Sequence, residues 1–129
     1  MVYLDSSAIV KLVAPEPESA ALRDELARDA EWVSSALARV EVLRALRRTR
    51  VAADSVRFAE EVMDRIALVA VDQPILNAAA SAEPAGLRSL SSLHLATALS
   101  LAGLDAFVGY DDRLNAAAAA AGLPVLSPR

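Results

Sequence analysis

The chain contains no cysteine and few aromatic residues, and both absences limit the fold. Without cysteine the protein has no disulfide and no thiolate metal site. Aromatic residues make up 4% of the sequence and apolar residues 55%, so the core must be built from alanine, valine and leucine. Such a core suits helices packed closely on a sheet. The sequence predicts an α/β fold in one domain over residues 1–129.

Segments that would direct export or span a membrane are also missing. The N-terminus has no basic stretch followed by an apolar one, and no run of eighteen apolar residues occurs. These absences predict a cytoplasmic protein that does not associate with a membrane. The mean hydropathy is nevertheless positive, +0.35, which predicts that a second copy or a partner covers part of the helical surface.

The net charge of −4 argues against nucleic-acid binding through overall electrostatics. One segment reverses this balance, because residues 39–50 (RVEVLRALRRTR) hold five arginines and a single acid, Glu41. Two interpretations fit these arginines. They form either a surface that binds nucleic-acid phosphates or an ordinary solvated helix face.

Apolar strand-like runs alternate with helical segments along the chain, which predicts a parallel sheet with helices on both faces. The strand candidates are residues 2–5, 31–35, 65–72, 106–111 and 124–128. The third run is apolar throughout, as is typical of a strand buried on both faces. The six alanines at residues 116–121 predict a helix that packs closely, not a linker.

Two helices have a predicted orientation. Residues 19–30 scatter acids among leucines and alanines, which predicts a polar helix in an exposed layer. The arginine-rich helix is expected to turn Ala36, Val40, Leu43 and Leu46 towards the core.

Three aspartates end strand candidates, at Asp5, Asp72 and Asp111. Because ligands of parallel sheets bind beyond the carboxyl ends of the strands, a site could gather these carboxylates. Clustered carboxylates repel one another until a hard cation such as Mg²⁺ neutralises them. Such an ion can lower the pKa of a bound water and stabilise charge on a phosphodiester under attack.

Each acid also has a simpler interpretation. An aspartate between a strand and a helix is often only an N-cap, which we favour for Asp72 and leave open for Asp5 and Asp111. Glu41 could form nothing more than an i,i+3 pair with Arg44. Spacing alone does not choose between these roles and a shared site.

Four segments together resemble the PIN-domain ribonucleases, most closely the VapC toxins of bacterial toxin–antitoxin pairs. They are YLDSSAIVKL, RVEVLRAL, LHLATAL and FVGYDDRLNAAAAAAGLPVLSP, which cover nearly the whole chain in the family's order. The resemblance implies a PIN-like fold, in which helices flank a central, mostly parallel sheet, and an acidic Mg²⁺- or Mn²⁺-dependent site that cleaves RNA. It also implies a cytoplasmic toxin, commonly a homodimer, that a cognate VapB-like antitoxin inhibits.

Residue by residue, the resemblance makes Asp5, Glu41 and Asp111 the acids of the metal site, with Asp112 as the substitute if Asp111 is not one of them. The arginines expected to bind RNA phosphates are Arg44, Arg47, Arg48 and Arg50. The histidine, His94, lies among leucines and is expected to be a satisfied core residue.

Two positions depart from the family's pattern. Ser91 stands where the family has an aspartate three residues before the histidine, and Gly109 stands where a small hydroxyl residue is common. A serine hydroxyl is a neutral and weaker ligand than a carboxylate. We therefore keep Ser91 among the predicted catalytic-site residues. We expect it to leave the fold and the RNA groove intact and to weaken metal binding and cleavage.

Three other functions compete with this one. A catalytically impaired PIN-like module would bind RNA or antitoxin without cutting, and Ser91 and Gly109 favour it. A phosphoacceptor receiver domain lacks its acidic pair after the first strand and its lysine. A serine hydrolase using Ser91 and His94 lacks the nucleophile elbow and a glycine-built oxyanion site.

Overall fold

The computed structural model describes residues 1–28, 31–50 and 52–129. Within them strands and helices alternate, as the sequence predicts. The strands are β1 Val2–Leu4, β2 Trp32–Ser35, β3 Ala67–Val69, β4 Ala106–Val108 and β5 Val125–Leu126. The helices are α1 Ser6–Val13, α2 Ser19–Leu26, α3 Leu37–Arg48, α4 Ala53–Asp64, α5 Gln73–Ala80, α6 Ser89–Leu99 and α7 Asp112–Ala120.

All five strands pair in parallel, in the order β3-β2-β1-β4-β5. The predicted α/β class with a parallel sheet is therefore confirmed. The chain runs outwards from β1 to β2 and β3 on one side, and β4 and β5 lie on the other. The carboxyl ends of the neighbouring strands β1 and β4 thus form a topological switch point, the place where open α/β sheets bind ligands.

The sheet separates two hydrophobic layers, and alternate residues of β1 point into each. Val2 and Leu4 pack against α1 to α4, whereas Tyr3 packs on the opposite face against α6 and α7. Ala117 and Ala118 in α7 are buried. The alanine-rich helix therefore packs against the sheet, as predicted, but only through these two alanines, since the other four of the run are exposed.

Two helices differ in part from the predicted burial. The core face of α3 is formed by Ala38, Val42 and Leu46, whereas Val40 is 57% exposed. Helix α2 is amphipathic, because its leucines are fully buried against α1. The predicted extension of α2 through residues 29 and 30 lies outside the described residues.

Strand β3 is the clearest error, because it is an edge strand and only partly buried. Its apolar sequence resembles that of a central strand, and only the strand order decides its place. No helix among the described residues is long and apolar enough to cross a membrane. The assignment of residues 1–129 to a single PIN-like domain stays a prediction.

Candidate active site

Asp5 lies where β1 ends and α1 begins, and it is the only buried acid among the described residues, at 2% exposure. Its Oδ1 accepts hydrogen bonds from the Ala8 amide at 2.9 Å and the Ser7 hydroxyl at 2.5 Å. Burial raises the pKa of Asp5, and neither these hydrogen bonds nor the nearby His94 reverse that effect. No described lysine or arginine forms an ion pair with it. Asp5 is thus a buried carboxylate without a neutralising side chain.

Gly109 directly follows β4 and lies beside Asp5, where a side chain has no room. A Cβ at this position would lie 2.6 Å from Asp5 Oδ2 and 3.0 Å from Asn115 Oδ1. The hydroxyl residue expected here from the family's pattern would therefore displace the Asp5 carboxylate. Asn115 Oδ1 is buried and accepts no hydrogen bond from the described residues. These oxygen acceptors on the two sides of Gly109 require a hydrogen-bond donor or a cation.

Glu41 is held by side chains from two other helices. Its Oε1 accepts a hydrogen bond from the Ser6 hydroxyl at 2.8 Å and lies 2.7 Å from Nε2 of His94. Burial raises the pKa of Glu41, but the contacts with His94 and Ser6 outweigh burial and hold the pKa below its usual value. In the described chain the Glu41 carboxylate contacts His94 and Ser6 and not Arg44, so the simpler interpretation of Glu41 is wrong.

His94 is 2% exposed, and both its ring nitrogens are engaged. Nδ1 lies 2.7 Å from the Tyr3 hydroxyl, and Nε2 faces Glu41 and Ser6. The prediction of a satisfied core histidine is therefore confirmed. Because neither nitrogen contacts Ser91, the serine hydrolase interpretation is wrong.

Ser91 and Asp111 meet at a cavity of about 170 Å³ near the starts of α6 and α7. Its other lining residues are Leu87, Arg88 and Arg113. The Ser91 hydroxyl forms no hydrogen bond with a described residue, and Asp111 is exposed and accepts the Leu114 amide at 2.9 Å. Neither arginine forms an ion pair within the described chain. The cavity therefore combines one acid with two unpaired guanidinium groups.

All three strand-end aspartates are N-caps, so capping does not distinguish a site residue from an ordinary one. Asp72 accepts the Ile75 amide at 3.0 Å and is exposed, which confirms the simpler interpretation that we favour for it. Asp5 and Asp111 also cap helices, but they lie at the neighbouring strands β1 and β4. Asp112 is exposed in the first turn of α7, next to Asp111.

The arginines of α3 form a basic surface that reaches the cleft containing Glu41. Arg44, Arg47 and Arg48 are exposed and line a depression of about 290 Å³. Arg48 also borders a cleft of about 400 Å³ whose wall includes Glu41. Arg50 is exposed and lies beyond the last residue of α3.

The oxygen atoms at the switch point are the type of ligand that a hard divalent cation prefers, but they are few in number. No three His, Cys, Asp or Glu side chains are grouped to hold a metal ion in the part of the chain that the structure describes. Mg²⁺, however, is usually bound through one or two carboxylates and keeps several waters. That lower requirement is met by the buried Asp5 carboxylate, the Asn115 oxygen without a donor, and Asp111. The charge of Asp111 further raises the pKa of Asp5.

Comparison with known proteins gives the same family in sequence and in structure. Residues 2–120 match the model of the PIN domain. The chain is 45% identical to Ribonuclease VapC46 of Mycobacterium tuberculosis (strain ATCC 25618 / H37Rv), over 98% of this chain and 97% of that protein. It is 42% identical to Ribonuclease VapC35 of the same strain, over 99% and 97%.

Two solved structures share the fold. VapC20 of Mycobacterium tuberculosis, a sarcin-ricin loop cleaving toxin, has a TM-score of 0.77 at 15% identity, over 99% of this chain and all of that one. A toxin–antitoxin complex from Klebsiella pneumoniae has a TM-score of 0.73 at 17% identity, over 100% and 98%.

The chain therefore belongs to the PIN-domain family. Within that family its relatives are VapC-type proteins, matched over nearly their full length, which confirms the resemblance drawn from the four segments. The receiver-domain interpretation is wrong, because the sheet and the relatives are those of a PIN domain.

Sequence reasoning missed two parts of the site. One is the support behind Glu41, formed by His94 and Tyr3; the lone histidine in an apolar helix was the available signal. The other is the pair Arg88 and Arg113 beside Ser91. No local pattern marks these arginines, because α6 and α7 are brought together only by the sheet.

Proposed function

We propose that the protein is a Mg²⁺- or Mn²⁺-dependent endoribonuclease and the toxin of a type II toxin–antitoxin pair. The observation that carries this proposal is the buried Asp5 carboxylate, which has no neutralising side chain and lies at the switch point of a PIN-domain sheet. Relatives named ribonucleases over nearly the full length support the activity. Hydrolysis of RNA phosphodiester bonds is the reaction that such a site would serve.

In this proposal Asp5, Glu41 and Asp111 are the carboxylates that hold the ion. The ion, when bound, would activate a water and stabilise negative charge on the phosphodiester. The protein's own part is to fix the carboxylates and to orient the RNA. Asp5 is fixed by Ser7 and the Ala8 amide, and Glu41 by Ser6 and His94.

Two groups of arginines are proposed to bind RNA phosphates. The first comprises Arg44, Arg47, Arg48 and Arg50, of which Arg48 reaches the cleft beside Glu41. The second comprises Arg88 and Arg113, whose guanidinium groups lack acidic partners in the described chain. A basic surface on both sides of the carboxylates suits a polyanion that crosses the site, in spite of the net charge of −4.

Ser91 is proposed to make this nuclease weaker than a relative with an acid at that position. The hydroxyl has no partner in the described chain and supplies no charge to the cavity that it shares with Asp111. Metal affinity should fall accordingly, since a carboxylate is the stronger ligand for Mg²⁺.

We also propose the partners and the location that are typical of the family. The partners are a cognate VapB-like antitoxin and a second copy of the chain, and the location is the cytoplasm. Exposed apolar side chains support a covered surface. Val40 and Phe58 are exposed on α3 and α4, and Leu76, Leu90 and Leu99 on α5 and α6. Large apolar side chains left exposed on neighbouring helices are typical of interaction surfaces when they lie together.

The test is RNA cleavage by the purified protein with Mn²⁺ or with EDTA. Asp5→Ala should abolish cleavage, and Asp72→Ala is the matched control because it also removes an N-cap aspartate at a strand end. Cleavage that survives Asp5→Ala would come from a contaminating nuclease and would contradict the proposal. Mapping the cut sites in total RNA would then identify the target.

A second candidate is a PIN-like module that binds RNA or antitoxin without cutting. The absence of three grouped metal-ligating side chains in the described chain favours it. RNA binding without Mn²⁺-dependent cleavage, in the wild type and in Asp5→Ala alike, is the result that selects this function.

A further inference from the structure

His94 connects a buried tyrosine to the site carboxylate Glu41. The Tyr3 hydroxyl lies 2.7 Å from Nδ1 and the Glu41 Oε1 lies 2.7 Å from Nε2. The Tyr3 and His94 rings also meet edge to face, with centroids 5.9 Å apart. Tyr3 comes from the sheet, His94 from α6 and Glu41 from α3, so the connection joins the two layers that the sheet separates.

The proton positions in this connection follow from the partners. A carboxylate only accepts hydrogen bonds, so Nε2 must carry a proton in order to donate to Glu41. The Tyr3 hydroxyl keeps its proton, since burial raises the pKa of Tyr3 far above its usual value. It can therefore donate to Nδ1, an arrangement in which the proton that the ring presents to Glu41 lies on Nε2.

We propose that His94 is a positioning residue that holds the Glu41 carboxylate in place through Nε2–H, and that the Tyr3 hydroxyl fixes the ring tautomer required for this. This inference rests on the proposed function, in which Glu41 is one of the site carboxylates. The contacts of Ser6 and His94 with Glu41 both reach Oε1, and Oε2 accepts no hydrogen bond from the described residues. One oxygen of Glu41 is thus anchored, and the other is left for a ligand.

The arrangement differs from that of a histidine that only fills the core. A core histidine needs its nitrogens satisfied by any partner, whereas a positioning histidine must present one particular donor to one particular oxygen. Partners behind a metal-binding side chain act in this way by fixing tautomer and orientation. Ser6 adds a second donor to the same oxygen, which restricts the carboxylate further.

The first test is nuclear magnetic resonance of the wild-type protein without added metal. Because His94 is the only histidine of the chain, its ring gives one set of ¹⁵N signals. We expect a protonated Nε2 and an unprotonated Nδ1 that accepts a hydrogen bond. An Nδ1–H tautomer or an imidazolium overturns the proposal, whether or not the protein cleaves RNA.

The second test compares two substitutions that each keep one side of the connection. In His94→Gln the amide lies near the position of Nε2 and can still donate to Glu41. In His94→Asn the shorter amide lies near Nδ1 and reaches only towards Tyr3. Both lose the ring, so both lose its packing against Tyr3.

We expect His94→Gln to retain most of the cleavage rate and His94→Asn to lose about 10- to 100-fold in kcat, the range for such supporting residues. Ser92→Ala is the control, since Ser92 is buried in the same helix and bonds only the Ser89 carbonyl. Equal kcat values for the two His94 variants, compared per folded molecule, would overturn the proposal.

Tyr3→Phe tests the tautomer directly and removes only one oxygen. It should produce a mixture of tautomers in the ¹⁵N spectrum, and an unchanged spectrum would overturn the role of Tyr3. This spectrum and that of the wild type decide the inference even if both His94 variants fail to fold. If the wild type shows no Asp5-dependent cleavage, the proposed function fails, and the wild-type tautomer still decides the role of His94.

Discussion

The two halves of the candidate site are built differently. The closed half comprises Asp5, Glu41 and His94, in which every residue is hydrogen-bonded to other side chains or to backbone amides. The open half comprises Ser91, Asp111, Arg88 and Arg113, which border a cavity and make few contacts within the described chain. Both halves lie at the carboxyl ends of β1 and β4, so the sheet alone does not explain the difference.

One edge of a sheet can therefore carry a group of residues held by hydrogen bonds next to a group that lines an open cavity. The closed half is positioned before any ligand arrives, because hydrogen bonds from neighbouring groups hold its carboxylates in place. The open half is largely exposed, and its side chains have few partners within the described chain. Substitutions in the closed half should therefore change both stability and activity, whereas those in the open half should change mainly binding.

The largest effect is expected from Asp5→Asn in the closed half. The amide oxygen can still cap α1 at the Ala8 amide, but the buried charge is gone. Cleavage should be lost while the free energy of unfolding rises by roughly 1 kcal/mol, a trade-off typical of functional sites. Urea unfolding and RNA cleavage measure the two effects. Lower stability together with retained cleavage would show that the Asp5 charge is structural.

Gly109→Ala should damage the closed half without removing any of its groups. The new Cβ would lie 2.6 Å from Asp5 Oδ2 and 2.8 Å from its Cγ, and Asp5 is buried and tied to Ser7. We expect a loss of about 1–3 kcal/mol, as for other overpacked positions. Gly86→Ala is the control, since a Cβ there meets nothing within 4 Å. Equal unfolding curves for the two variants would mean that Asp5 moves freely.

Ser91→Asp adds a negative charge to the open half. Mn²⁺ should bind more tightly and cleavage should rise by roughly 10-fold, the scale of other changes around metal sites. Isothermal titration and cleavage rates measure this. Ser89→Asp is the control, because it adds the same charge two positions away in the same turn of α6. Identical activity in Ser91→Asp and the wild type would contradict the weakening that we attribute to Ser91.

The smallest effects are expected from single arginine substitutions. Arg48→Gln beside the closed half and Arg88→Gln beside the open half should each weaken binding of an oligoribonucleotide in EDTA. Each should also reduce the slope of log K against log salt by about 0.7, the value for one phosphate contact on a single strand. Arg23→Gln, exposed on α2, should leave the slope unchanged. A slope equal to wild type at Arg48 would reassign that residue to a protein partner or to the solvated surface.

Much of the fold could be predicted from the sequence because local patterns encode it. The N-caps Asp5, Asp72 and Asp111 mark the starts of α1, α5 and α7. Gly122 ends the alanine helix with a positive φ of 94°, a conformation that glycine adopts without strain. The orientation of α3 was less accessible, because alanine and valine occur on both its faces and the prediction placed exposed Val40 inside.

Local sequence patterns therefore encode the alternating elements, their caps, the family resemblance and the acids that a site could use. The tertiary structure alone decided that β3 lies at the sheet edge, that Asp5 is buried while Asp72 is exposed, and that His94 meets Glu41 across 53 positions of sequence. Caps and periodicities arise from interactions within a few residues, whereas burial and long-range pairing depend on strand order. Strand order is a property of the whole sheet, which no single segment carries.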